Sequence, residues 1–550
     1  MTKIVIVGGV AGGASAACRA RRLDEHAQIV LFEKGPFVSF ANCGLPYYVG
    51  GAIAERGKLN VQTPQSLHKR FNLDVRTLCE VVSIDAGAHE VEVVDHASQT
   101  TYRESYDKLV LSPGAEPVRP PLPGTDLPGV LTVRSIPDVD NICALVTAKQ
   151  ARRAVVVGGG FIGIEMAENL IERGLSVDLV EMSSHVIKSL DYDMAVDLHR
   201  ELRAHGVNLH LGEGLASIEQ REEGLAVLTS SSKELLCDIV ILAIGVRPES
   251  KLAQDAGIAC GPRGHILVDE HLNTNLPDVY AVGDAIQVTE FVSGQPAAIP
   301  LAGPANRQGR IAATNLLGGD YAYTGTQGSS IVKVFSLAAA STGLTEEAAR
   351  AQGIEVDKTY LTQPSHASYY PGAKMMGLKV LWEKNTGRLL GAQAVGAEGV
   401  DKRIDVVATA IRFGANVRDL VSLELCYAPP FNSAKDPVNM AGFVAQNVLD
   451  GKVRQFFPED VDGLPRDGSV TLLDVRTPGE CARGMIDGFV NIPVDELRDR
   501  LDQIPTDKPV YLHCKSGQRS YIAYRILVGN GYECYNLAGG YDRWSAITQG

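Results

Sequence analysis

Arg153-Ala-Val-Val-Val-Gly158-Gly-Gly160-Phe-Ile-Gly163-Ile-Glu165 decides the fold. An apolar strand runs into G-x-G-x-x-G and then into a helix. The first glycine allows the tight turn, the second lets backbone N–H groups approach a pyrophosphate, and the third lets helix and strand pack closely. The next strand, Val177-Asp-Leu-Val-Glu181, ends in an acid that accepts from a ribose 2′-OH and repels a 2′-phosphate. Met182, Ser183 and Ser184 follow, with no arginine among them, so NADH is expected, with NADPH as the alternative.

Working outward, a weaker copy opens the chain. Lys3-Ile-Val-Ile-Val7 enters Gly8-Gly9-Val10-Ala11-Gly12-Gly13, a small-residue helix runs from Ala14 to about Arg22, and Gln28-Ile-Val-Leu-Phe-Glu33 makes the second strand. Val10 stands where the middle glycine belongs. Glu33 is assigned to ribose hydroxyls, with Lys34 beside it. Leu109-Val-Leu-Ser-Pro-Gly114 reads as a strand leaving the first unit, and Ile239-Val-Ile-Leu-Ala-Ile-Gly245 as its counterpart in the second. Asn275-Leu-Pro-Asp-Val-Tyr-Ala-Val-Gly283-Asp284 then returns the chain to the first domain, with Asp284 placed to hold ribityl hydroxyls. Two such units imply two dinucleotides.

Between the motifs lies Ser39-Phe-Ala-Asn-Cys43-Gly-Leu-Pro46-Tyr-Tyr-Val-Gly-Gly51. Asn42 reads as an N-cap and Pro46 as a first-turn residue, which places Cys43 at a helix N-terminus, where a thiol is biased toward thiolate. No second cysteine lies a few residues away, so a lone redox thiol is expected.

The bulk numbers exclude several classes. The chain has 550 residues and a net charge of −13, with 21% charged residues, so no basic nucleic-acid surface stands out. Its start runs directly into a strand without a signal-peptide pattern, and no stretch approaches the roughly 20 apolar residues of a membrane span. The ten cysteines are scattered, with neither metal-ligand spacing nor a disulfide framework, so no metal and a reducing, cytoplasmic setting are expected.

Four motifs in this order resemble the flavoprotein disulfide reductase superfamily over about residues 1–450. The lone Cys43 resembles its single-cysteine branch of coenzyme A-disulfide reductases, NADH peroxidases and NADH oxidases. The resemblance implies an FAD domain split around an NAD(P) domain: 1–120 and 251–325 for FAD, 121–250 for NAD(P), then a dimerisation domain at 326–450 and a homodimer. Peroxidase and oxidase relatives carry a histidine where this chain has Ala11, which favours the coenzyme A side. Ser15, Arg19, Arg22, Ser39 and Asn42 match positions that line the coenzyme A path, and Asn306 and Lys435 match further ligand contacts. His366-Ala-Ser-Tyr369-Tyr370 and Cys426-Tyr427-Ala-Pro-Pro resemble the family's two tyrosine motifs. A phenol there can give a proton to a departing thiolate. Alternation in extended backbone allows one of Tyr369 and Tyr370 to reach the site, and Tyr369 is chosen.

Residues 451–462, with the proline-rich acidic stretch continuing toward Gly468, read as a linker. Residues 463–550 resemble a rhodanese domain. Strand Pro509-Val-Tyr-Leu-His513 leads into Cys514-Lys-Ser-Gly-Gln-Arg519-Ser520 and a helix, so backbone N–H groups wrap one sulfur and stabilise a thiolate or persulfide. Four residues separate Cys514 from Arg519, one fewer than in cysteine phosphatases, which suits sulfur better than phosphate. Cys534 reads as a core cysteine.

The whole is an α/β protein with two Rossmann-like domains, an α+β dimerisation domain and an α/β rhodanese domain. The expected activity is FAD-dependent NAD(P)H reduction of coenzyme A persulfide or polysulfide at Cys43, with Cys514 carrying sulfane sulfur. The alternatives are a coenzyme A-disulfide reductase, an NADH peroxidase or oxidase, and a sulfur-relay or redox-sensing protein. The sequence leaves open whether coenzyme A is substrate or resident cofactor.

Overall fold

A computed structural model describes residues 1–148 and 151–549. Lys149, Gln150 and Gly550, inside the expected domains 121–250 and 463–550, lie outside the described residues. The chain divides into two units, residues 1–183 with 206–328, and residues 184–205 with 329–550.

The first unit holds two parallel sheets. β1 (Lys3–Val7), α1 (Ala11–Leu23), β2 (Gln28–Glu33), α2 (Leu45–Gly50), β3 (Asp74–Thr77) and β4 (Lys108–Leu111) build the first. β5 (Val130–Leu131), β6 (Arg153–Val157), α3 (Phe161–Glu172) and β7 (Ser176–Glu181) begin the second. After α4 (Tyr192–Ala204), which belongs to the second unit, come β8 (Val207–Leu211), β9 (Ile239–Leu242), β10 (Val279–Ala281) and α5 (Ala302–Asn315). The strand orders are β10-β4-β1-β2-β3 and β8-β7-β6-β9-β5. β1 is flanked by β2 and β4, and β6 by β7 and β9, so each sheet reverses direction beside the strand that feeds its glycine loop. Ligands of doubly wound sheets bind outside the strand ends at that reversal. The central strands are fully buried β-branched and aliphatic runs, as covered parallel sheets require.

The second unit contains an antiparallel sheet and a parallel one. β11 (Ser330–Val334), β12 (Leu337–Gly343), α6 (Glu346–Ala351), β13 (Val356–Pro364), β14 (Met375–Glu383) and β15 (Leu389–Gly396) give the order β11-β12-β15-β14-β13, followed by α7 (Val400–Arg412) and α8 (Pro437–Leu449). Lys379, opposite Tyr360 on β13 and Gln393 on β15, is wholly buried. Its ammonium meets carboxylates of Asp191 at 2.8 Å, Asp193 at 2.7 Å and Glu346 at 3.0 Å. Lys358 joins Glu346 at 2.8 Å and Glu459 at 2.6 Å. The two lysines hold Glu346 down to about 2 against the opposing effect of burial.

The parallel sheet is formed by β16 (Gln455–Phe456), β17 (Thr471–Asp474), β18 (Val490–Asn491), β19 (Val510–His513), α9 (Gln518–Gly529), β20 (Cys534–Leu537) and α10 (Gly540–Gln549), in the order β16-β20-β19-β17-β18. The stretch expected as a linker is structured. Gln455–Phe456 pairs with β20, and Phe456 and Val461 are buried. Two aromatic-aliphatic anchors give this segment a core to join, which outweighs its prolines and acids.

Candidate functional site

The two glycine loops are built alike. Gly8 takes φ +97° and Gly158 φ +109°, conformations that favour glycine. Their N–H groups donate to Phe32 O at 2.8 Å and Val180 O at 2.7 Å. A Cβ on Gly13 would lie 1.9 Å from Gly8 O, and one on Gly163 1.8 Å from Gly158 O, so only glycine lets α1 and α3 pack on their loops. The acids close the turns: Glu33 accepts from Gly9 N at 2.9 Å and Gly35 N at 2.8 Å, and Glu181 from Gly159 N at 2.6 Å and Ser183 N at 2.7 Å. Val10 takes the place of the middle glycine at φ −102°, outside the left-handed region that favours glycine. Gly160 precedes α3 with open space above it, and Gly245, after β9 at φ +119°, also has open space above it.

A cavity of about 770 Å³ opens at the end of β1. Gly8, Gly9, Gly12, Glu33, Lys34, Gly114, Gly283 and Asp284 line it, and so do Asn42 and Cys43. A Cβ on Gly12 would lie 2.8 Å from Ser112 Oγ, Gly283 N donates to Gln308 Oε1 at 2.8 Å, and Lys34 pairs with Glu249. Burial raises the Glu33 and Asp284 carboxyls, and Arg134 opposes both shifts. The size suits a cofactor. A glycine backbone, a ribose-type acid and a second carboxylate fit the pyrophosphate, ribose and ribityl parts of FAD.

Cys43 is exposed. It lies in a single 3₁₀ turn, Asn42–Gly44, that leads into α2, and no side chain caps either element. Asn42 therefore is not the N-cap the sequence implied; Ala41 and Gly44 hold the two cap positions. The surroundings of the sulfur oppose the expected bias toward thiolate. Although the residue as a whole is exposed, protein atoms packed around its sulfur desolvate it and, with Glu165 and then Asp284, push the Cys43 thiol up, and its own backbone N–H offsets only part of this. A six-residue helix offers a weak dipole against two carboxylates.

Glu165 projects from α3, and its Oε1 accepts from the Tyr47 hydroxyl of α2 at 3.1 Å. Sequence reasoning gave neither residue a role. The available signal was an acid inside an otherwise apolar stretch of the helix, Phe161-Ile-Gly-Ile-Glu165-Met-Ala. Burial raises Glu165 to about 7.

The residues matched to coenzyme A in the first unit fall on α1, α5 and the loop before Cys43. Ser15 Oγ donates to Asn306 Oδ1, Arg19 Nε donates to Thr314 Oγ1 at 3.2 Å, and Arg22 lies over the Phe71 ring at 6.0 Å. The Ser39 backbone, at φ +47°, donates to Gly9 O at 2.8 Å and ties this loop to the first glycine turn.

In the second unit, Tyr369 and Tyr427 share a hydrogen bond between hydroxyls at 2.9 Å, and Tyr370 turns edge-on to His366 at 5.7 Å. A turn closed by Tyr370 N and Ala367 O separates the two tyrosines, not the strand alternation expected. Lys435 is exposed beside Asp436, which pairs with Arg403 at 3.2 Å.

Cys514 is buried at the end of β19, and its Sγ accepts from Gly517 N at 3.2 Å and Ser520 Oγ at 3.3 Å. Gly517 takes φ +98°, which turns the loop into α9. Arg519 donates two bonds of 2.7 Å to Glu480, a partner the sequence did not single out. Cys534 is buried in the core on β20, and its thiol is pushed up to about 12 by burial. Among the described residues no cluster could hold a metal, and no helix is long and apolar enough to cross a membrane.

A doubled dinucleotide fold with an exposed cysteine lining the cavity defines a pyridine-nucleotide-linked flavoprotein that works on sulfur. The chain belongs to the pyridine nucleotide-disulphide oxidoreductase family, whose model matches residues 2–309, with its dimerisation domain at 329–437 and a rhodanese-like domain at 457–547. Membership implies FAD and NAD(P)H. The coenzyme A disulfide reductase of Staphylococcus epidermidis is 37% identical over 447 residues, 81% of this chain and 100% of that protein. The reduced CoADR-RHD of Bacillus anthracis is 47% identical, covers 100% of this chain and 98% of its own, and superposes with a TM-score of 0.97. The NAD-dependent persulfide reductase of A. fulgidus is 36% identical over 99% of both chains, with a TM-score of 0.92.

Proposed function

We propose that this protein is an FAD-dependent NAD(P)H reductase of coenzyme A persulfide and polysulfide, acting through Cys43, with Cys514 as a sulfur carrier. The observation that carries the reading is the union, in one chain, of an exposed cysteine, Cys43, lining a dinucleotide cavity and another cysteine, Cys514, whose sulfur is cradled by Gly517 N and Ser520 Oγ. The Cys43 thiolate attacks the outer sulfur of coenzyme A persulfide, forming Cys43–S–SH and releasing the coenzyme A thiolate. An electron pair then splits the new S–S bond, returning the Cys43 thiolate and releasing hydrosulfide. Bound FAD, supplied by NAD(P)H, delivers that pair.

Gly8, Gly9, Gly12, Glu33, Asp284 and their neighbours hold the FAD, and Gly158, Gly160, Gly163 and Glu181 the nicotinamide nucleotide, with NADH preferred. Ser15, Arg19, Arg22, Asn42, Asn306 and Lys435 are assigned to coenzyme A. The dimerisation domain supports a homodimer, and the paired phenols of Tyr369 and Tyr427 are assigned the proton for the departing thiolate.

A second reading, coenzyme A-disulfide reductase, draws support from the staphylococcal relatives and uses the same Cys43. The two are separated by anaerobic NADH oxidation with coenzyme A persulfide, polysulfide and coenzyme A disulfide side by side, with Cys43→Ser as control. A kcat/KM about tenfold higher for persulfide or polysulfide, near 1.4 kcal/mol of barrier, supports the first reading. The reverse ratio establishes the second.

A further inference from the structure

The phenols of Tyr369 and Tyr427 stand on different loops, and the two residues are 73% and 49% exposed. A hydrogen bond between exposed hydroxyls competes with water, so it does not by itself hold two loops in register. What joins the loops lies beneath them. Residues 365–374 connect β13 to β14, and Ser365 N on Lys374 O at 2.8 Å, with Lys374 N on Ser365 Oγ at 3.2 Å, closes that loop at its base. Residues 423–436 lead into α8, and Ala428 O accepts from Phe431 N at 2.9 Å and Asn432 N at 3.1 Å to turn this second loop.

Arg403, in the first turn of α7, is 1% exposed and reaches both loops. Its Nη2 donates to Ser365 O at 2.9 Å in the first loop and to Asn432 Oδ1 at 2.8 Å in the second, and lies 3.2 Å from Asp436 Oδ2. Its Nη1 donates to Gly399 O at 3.2 Å. Gly399 takes φ +72°, and a Cβ there would lie 2.1 Å from Arg403 Nη1, so the glycine leaves room for the guanidinium. Asn432 is buried as well and carries the link onward. Its Nδ2 donates to Cys426 O at 3.1 Å, directly before Tyr427, and its backbone O accepts from Ala367 N at 3.1 Å, two residues before Tyr369. Asp436, directly after Lys435, also accepts from Val438 N at 2.8 Å and so caps α8.

We infer that Arg403 is the positioning residue of the tyrosine pair: through Ser365 and Asn432 it holds the two loops in the register that brings the Tyr369 and Tyr427 hydroxyls together, and through Asp436 it fixes the base of Lys435. The inference rests on the proposed roles of the two phenols and of Lys435. Arg403 acts through loop backbone and buried side chains, not on substrate. A buried arginine paired with an aspartate serves stability in any protein, but here the partners are divided between the two loops that carry the phenols. The planar fork makes this possible, because it aims several donors in fixed directions at once, whereas a lysine offers one compact charge. Charge-assisted bonds out of reach of water are also the strong ones, so the anchor beneath the loops, and not the exposed phenol bond, sets their spacing.

The test places 3-fluorotyrosine at position 369 of the full-length, FAD-loaded protein and follows its single fluorine resonance. Tyr427→Phe removes the partner hydroxyl and defines the resonance of an unpaired phenol. Arg403→Lys keeps a charge for Asp436 but loses the fork, and is expected to move the resonance at least about half of the way to that reference. Asn432→Ala cuts the bridge while leaving Arg403 on Ser365 O and Asp436; it is expected to act in the same direction and carries the test if Arg403→Lys does not fold. A wild-type resonance in the folded variants overturns the inference. Kinetics give the second arm, as anaerobic NADH oxidation with coenzyme A persulfide and with coenzyme A disulfide. Arg403→Lys is expected to lower kcat at least about fivefold when Tyr369 is present and less than about twofold in a Tyr369→Phe background, since both changes disable the same pair. Equal losses in the two backgrounds overturn the inference and make Arg403 a stability element. Wild-type turnover in Tyr369→Phe alone would instead refute the proton role given to the phenols, and the fluorine resonance, which needs no substrate, would still decide whether Arg403 sets their pairing.

Discussion

Replacing Lys379 by methionine keeps the length and packing of the side chain and removes its charge from a site with no exposure. Carboxylates of Asp191, Asp193 and Glu346 at 2.7–3.0 Å are then left facing one another without their shared cation. Removing one partner of a buried pair costs about 3–5 kcal/mol, because the remaining charges stay desolvated. Glu346 gives a second view, of an attraction that Lys379 shares with Lys358. Its fall from an ordinary 4.5 to about 2 corresponds to about 3 kcal/mol. The pKa is depressed, so this stabilisation is present above about pH 4.5 and lost as pH falls toward 2, and pH 7 tests it in full. Both tryptophans, Trp382 and Trp544, lie in the second unit. Urea unfolding followed by tryptophan fluorescence therefore reads that unit separately from flavin fluorescence. With a slope of about 3 kcal/mol/M, Lys379→Met is expected to lower the midpoint by about 1–1.7 M. A loss below about 1 kcal/mol at unchanged slope would refute the reasoning, since it would mean that the three acids are solvated or protonated without cost.

The matched glycines should separate the two cofactors: Gly13→Val is expected to abolish bound FAD, read as the ratio of 450 to 280 nm absorbance, and Gly163→Val to keep FAD while weakening NADH binding at least tenfold. Glu181→Ala combined with Met182→Arg is expected to cut kcat/KM for NADH at least tenfold and raise it for NADPH in steady-state assays. Arg519 holds Glu480 at about 2. The stabilisation from that depressed carboxyl is complete above about pH 4.5 and is lost as pH falls toward 2, so sulfurtransfer at Cys514 is expected to show no break from this pair between pH 5.5 and 8. Arg519→Gln is expected to reduce sulfurtransfer at every pH in that range, measured as sulfane sulfur passed to cyanide.

Both glycine loops were legible in the sequence because their chemistry is local: the residues that force the turn, and the acid one strand later, lie within about thirty positions. Cys514 was legible for the same reason. The environment of Cys43 was not, because Glu165 and Asp284 arrive from 122 and 241 positions away and reverse the bias its own turn supplies. Tyr369 and Tyr370 were treated as neighbours in extended chain, and a turn whose hydrogen bond spans three residues separates them instead. Lys379 and Lys358 drew no reading from the sequence, because a lysine inside a β-strand carries no local sign of burial. Only the tertiary arrival of Asp191, Asp193, Glu346 and Glu459 makes them interior residues.

Glu33 and Glu181 each accept one hydrogen bond from a glycine turn, from Gly9 N and Gly159 N, and a second from the backbone two residues after themselves, Gly35 N and Ser183 N. Each turn is thus held in shape by a side chain of the chain itself, and association need not freeze a floppy loop. Binding entropy then reflects mainly the nucleotide's own loss of freedom and the water it displaces. Calorimetry on the cofactor-stripped protein would accordingly show a heat-capacity change set by the area the dinucleotide covers, without the larger signature of a segment folding around it.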